Sequence, residues 1–64
     1  MELNREKVMI VLARKQMTIT KLAEVYGVSR ARINVILNSR RITHLCAGRL
    51  AKCLDCDVTE IIDS

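Results

Sequence analysis

The residues of this chain specify an all-α fold, a compact bundle of four to five short helices, and three observations carry that reading. One helix-start pattern recurs five times, the apolar residues follow a helical period, and no segment alternates with the period of a strand. Length and composition agree. The chain has 64 residues, 50% hydrophobic and 28% charged, which is globular composition with room for one small domain over residues 1–64 and no second module.

Each start consists of an apolar residue, a capping residue, three variable positions and a second apolar residue. The five are Leu3-Asn4…Val8, Met17-Thr18…Leu22, Val28-Ser29…Ile33, Ile42-Thr43…Ala47 and Cys56-Asp57…Ile61. In each, the capping oxygen can accept an N–H of the first turn that has no partner within the helix. The flanking apolar pair forms the staple that fixes how the chain enters the helix. Asp57 also has Glu60 three residues on, a capping box that predicts a fifth helix.

The stops and stripes follow the same logic. Gly27 is free to take a positive φ after the second helix, and Asn38 is expected to do the same for the third. Val8, Val11, Leu12 and Lys15 mark one face of the first helix, with Met9 and Ile10 widening it. Ile19, Leu22, Ala23 and Tyr26 form the stripe of the second helix, and Ala47, Leu50, Ala51 and Leu54 that of the fourth. These stripes are core.

Composition removes several classes of function. Tyr26 is the single aromatic residue, so recognition of single strands by base stacking is excluded. The longest apolar run, Val8 to Ala13, is too short for a membrane span or a signal-peptide core, so a soluble, cytoplasmic chain with no membrane partner is expected. Three clustered thiols, Cys46, Cys53 and Cys56, fit a reducing compartment better than a disulfide framework. With His44 they also match a four-ligand zinc site, but the apolar spacing favours small core hydrophobes. No metal, cofactor or small-molecule ligand is expected. His44, the sole histidine, has no evident nucleophile or carboxylate beside it, so no catalytic arrangement is expected either.

Only Gly27 and Val28 separate Tyr26 from the cap Ser29, and so short a link forces a sharp crossing between two helices. Leu22-Ala23, Gly27-Val28-Ser29, Ile33 and Ile36-Leu37-Asn38 make the segment 18–38 resemble the helix-turn-helix of the lambda-repressor-like (Cro-type, XRE-family) DNA-binding domains. The resemblance continues through Ile42-Thr43, Ala47 to Lys52, Leu54 and Val58 to Ile62, nearly the whole chain. It departs from the family at Ile19, where many members carry a phosphate-contacting Gln, at Ser39, where Gly is usual, and at Cys53 and Cys56, which replace Ala- and Val-like core positions.

Charge points the same way independently. Residues 18–41 carry Lys21, Arg30, Arg32, Arg40 and Arg41 against Glu24 alone, whereas residues 42–64 are net acidic. On the third helix, about residues 29–38, Ile33, Ile36 and Leu37 form the core arc. Arg30, Ala31, Asn34 and Val35 lie opposite and are the candidate base readers, with Arg32 at the margin. Lys21, Ser29, Arg32, Arg40, Arg41 and Thr43 are the candidate phosphate contacts, and the resemblance implies such a role for the loop after the third helix.

These residues predict a sequence-specific double-stranded-DNA-binding transcriptional regulator, a repressor of bacterial or phage type that acts as a homodimer on two half-sites. Two readings compete with it: an antitoxin-like module that binds a partner protein, and a cysteine-based redox or metal sensor. Ile61 and Ile62 either form the dimer surface or close the core.

Overall fold

The computed structural model describes residues 1–63. Four α-helices run in order: α1 (Arg5–Arg14), α2 (Ile19–Tyr26), α3 (Arg30–Asn38) and α4 (His44–Leu54). A three-residue 3₁₀ turn, Val58–Glu60, follows. All five expected caps are in place. Asn4, Thr18, Ser29, Thr43 and Asp57 have extended backbones, and each side chain accepts an N–H of the turn that it opens.

The fifth helix is the first correction. The Asp57–Glu60 capping box forms in both directions, yet it closes a single 3₁₀ turn rather than starting an α-helix. Immediately afterwards Ile61 and Ile62 both enter the core, 0% and 7% exposed, and Ile62 pairs with Leu3 in an antiparallel bridge, so the chain leaves the turn extended rather than helical. They close the core and are not a dimer surface. Asn38 is the second correction. It is the last residue of α3, and the cap is Ser39 at φ −78°. The Ser39 N–H donates to Ile36 O at 3.1 Å and its Oγ donates to Val35 O at 2.8 Å, so the end of α3 is closed without a left-handed residue. The positive φ values outside Gly27 fall instead on Gln16 (54°) and Asp55 (52°).

The core gathers Val8, Val11 and Leu12 of α1, Leu22, Ala23 and Tyr26 of α2, Ile33 and Leu37 of α3, and Ala47, Leu50, Ala51 and Leu54 of α4. The sequence reading of α1 was too wide: Met9 is partly exposed and Ile10 is 62% exposed. Lys15 reaches the far end of α4, where its Nζ donates to Asp55 O at 3.0 Å.

A short β-pairing, not expected from the sequence, ties the N-terminus down. Glu2 and Leu3 form antiparallel bridges with Arg41 and Ile62, so the first residues lie between two other segments. Leu3 N–H donates to Arg40 O at 2.8 Å, Asn4 N–H to Ile61 O at 2.9 Å and Asp63 N–H to Glu2 O at 3.0 Å. The loop after α3 is thereby held on its backbone.

At the turn, Gly27 has φ +93° and its N–H donates to Ala23 O. A Cβ there would meet only Arg49 Nη2, at 3.8 Å, so the demand for glycine comes from the backbone and not from crowding. Gly27→Ala is therefore expected to cost about 1–2 kcal/mol in urea unfolding, with the fold retained. A second expectation concerns acid. The N–H and O–H of Thr59 hold the Asp57 carboxyl below the ordinary range. The Asp57 N–H, then Arg14, do the same for Glu60. Their contribution is present above the unfolded carboxylate range, about pH 4, and is lost as pH falls through the lower folded values. Glu60→Gln should flatten this acid limb in unfolding midpoints measured from neutral pH downward.

Candidate nucleic-acid interface

Ser29 opens α3 by accepting the Arg32 N–H at 3.1 Å, and Thr43 opens α4 by accepting the Cys46 N–H at 3.1 Å. A hydroxyl that accepts one hydrogen bond still has its O–H to donate, so both caps can also meet an anion. The first N–H groups of each helix have no intrahelical acceptor and carry the positive end of the helix dipole.

The outer arc of α3 is as the sequence spacing predicts. Arg30, Ala31, Arg32 and Val35 are exposed and Asn34 is half-buried, while Ile33 and Leu37 are buried and Ile36 packs partly against the core. Asn34 Nδ2 donates to Arg30 O at 3.2 Å, one turn back. The amide keeps a second N–H and its oxygen, the donor and acceptor that an adenine edge requires. Arg40, Arg41 and Thr43 follow within a few residues of the end of α3, all exposed. Lys21 stands apart on the first turn of α2, and its Nζ lies 3.9 Å from Glu24, an exposed pair of little energetic weight. Ile19 packs partly against the core, consistent with its lack of any phosphate-binding group.

The arrangement of ion pairs sorts the chain's eleven basic residues. Lys7 lies 3.5 Å from Asp63, Arg14 3.0 Å from Glu60 and Lys15 3.8 Å from Asp55. These three pairs join α1 to the acidic C-terminal segment. Among the described residues, Arg30, Arg32, Arg40 and Arg41 have no acidic partner. Arg5, Arg49 and Lys52 are likewise without an acidic partner among the described residues, so most of the positive charge left uncompensated sits along α3 and the loop after it. Such a surface attracts a polyanion.

The thiols lie elsewhere. All three are free and half-buried against the core. Cys46 Sγ lies 3.5 Å from the Tyr26 hydroxyl. Burial, then the Glu60 charge, pushes the Cys56 thiol up, away from the reactive thiolate form. Among the described residues no three His, Cys, Asp or Glu side chains converge. No helix among the described residues is long and apolar enough to cross a membrane.

One residue of the motif's surroundings escaped the sequence reading. Arg49 of α4 places its guanidinium carbon 4.2 Å from the Tyr26 ring centroid. Its Nη2–H donates to Tyr26 O at 2.7 Å. The partners are far apart in sequence, and no local spacing announces the pair.

Two helices joined by a glycine turn, with an arginine-bearing outer helix, form a helix-turn-helix in which α3 is the exposed member. Searches of curated proteins and of solved structures gave no match. The family comparison did: residues 7–64 match the Cro/C1-type HTH DNA-binding domain, and the chain belongs to that family.

Proposed function

We propose that this chain is a sequence-specific double-stranded-DNA-binding transcriptional regulator, a repressor that reads the major groove with α3. The observation that carries the reading is the unpaired arginine surface of α3 and its following loop, in a chain where Asp55, Glu60 and Asp63 pair with Lys15, Arg14 and Lys7. Residues 1–64 act as a single binding domain without catalysis. Arg30 is suited to the O6 and N7 of guanine, Asn34 to the N6 and N7 of adenine, and Ala31 and Val35 to thymine methyl groups. Ser29, Arg32, Arg40, Arg41, Thr43 and Lys21 serve the phosphates, which set affinity and salt dependence without choosing a sequence.

A single domain of this size spans few base pairs, so useful specificity calls for a homodimer on two half-sites. The burial of Ile61 and Ile62 excludes the C-terminal isoleucines as its surface. Action in the cytoplasm, on the chain's own DNA targets, is part of this reading.

Two sets of substitutions separate the roles. Arg30→Ala is expected to cost about 1–3 kcal/mol on the preferred duplex and to relax selectivity at one base position. Equal weakening on every sequence would remove Arg30 from base reading. Arg40→Ala combined with Arg41→Ala should weaken binding to all duplexes alike and lower the salt slope by about one unit for each lost phosphate contact. An unchanged slope would take that loop away from the phosphates.

A further inference from the structure

We infer that Arg49 is a positioning residue for DNA recognition: it locks the orientation of α3 relative to the start of α4 by gripping Tyr26, without touching DNA. The inference rests on the DNA-binding reading above and deepens it. Its basis is the way the helices pack. α2 packs against both α3 and α4, whereas α3 and α4 make little direct contact with each other. Beyond the short loop that joins them, the base-reading helix and the phosphate-facing start of α4 are therefore related through their shared packing on α2.

Among the described residues, the polar contacts of α4 with α2 all fall on Tyr26, the residue just before the turn. Arg49 stacks its guanidinium over the ring at 4.2 Å and donates to the Tyr26 carbonyl at 2.7 Å. That carbonyl lies in the last turn of α2 and has no intrahelical donor available. Nη2 also lies 3.8 Å from the position of a Cβ on Gly27, so the guanidinium arches over the turn itself. Cys46, one turn earlier on the same face of α4, holds the other end of the ring through the hydroxyl at 3.5 Å. Tyr26 is thus fixed at its backbone, its face and its hydroxyl, all from α4. The Arg49 charge is engaged in the lock, unlike those of Arg30 or Arg40.

A stack and a charge-assisted hydrogen bond made by one side chain predict a measurable loss of geometry when it is removed. The test uses the whole chain, the preferred duplex and a random-sequence duplex of equal length. Arg49→Met should lower affinity for the preferred duplex about ten-fold and for the random duplex less than about two-fold, with an unchanged salt slope. Arg49→Lys keeps the charge and a donor but loses the planar stack, and should fall between Met and the natural residue. Circular dichroism establishes that each variant is folded, and Arg49→Lys carries the test if Arg49→Met is not.

Equal losses on both duplexes would overturn the inference and leave Arg49 with a purely structural role. A salt slope lowered by about one unit would overturn it differently, by making Arg49 a phosphate contact. A natural chain with no preferred duplex would overturn the DNA reading, and this inference with it.

Discussion

The outer face of α3, to which we assign DNA contact, depends on the two residues between Tyr26 and Ser29. Gly27 turns the backbone into the left-handed region, and Val28 packs partly against the core, so α3 leaves the turn with its apolar arc already directed inward. The link is too short to allow another crossing. Once Ile33 and Leu37 are buried, the period of the helix puts Arg30, Ala31, Asn34 and Val35 on the opposite side. Which residues of α3 form its outer arc is thus a consequence of core packing, and that arc needs no separate scaffold.

Electrostatics complete what packing begins. Acidic side chains in residues 55–63 would reduce the attraction of a small basic domain for a polyanion if they were left free. Three of them lie beside Lys7 and Arg14 of α1 and Lys15, which caps it, at distances of 3.0–3.8 Å. Exposed pairs of this kind add little stability. Their importance is that they engage basic residues at and beside α1, whereas the arginines of α3 and the loop after it stay unpaired. The same loop is held on its backbone by the N-terminal residues, so Arg40 and Arg41 project from a fixed support.

How much of this could be read in the sequence followed from how local each determinant is. Every helix start was legible because a cap and its staple lie within five residues, and all five caps form. The outer arc of α3 was legible because the helical period fixes it. The length of the last element was not, since a capping box specifies a first turn and says nothing about a second; the pairing of Ile62 with Leu3, far away in sequence, takes the chain out of the helix there. The end of α3 was misread because Ser39 satisfies two carbonyls through its N–H and Oγ, a closure that needs no Asn or Gly. Ile10 was misread because hydrophobicity alone cannot tell a core position from an exposed one beside it. The N-terminal bridges and the Arg49–Tyr26 lock join residues far apart in sequence, beyond the reach of any spacing rule.

The central claim is that α3 selects a DNA sequence, and selection from a random duplex pool at about 150 mM salt tests it most directly. The account predicts an enriched site with two-fold symmetry and half-sites about one helical turn apart. A pool that emerges unenriched, with binding that disappears as salt is raised, would contradict it.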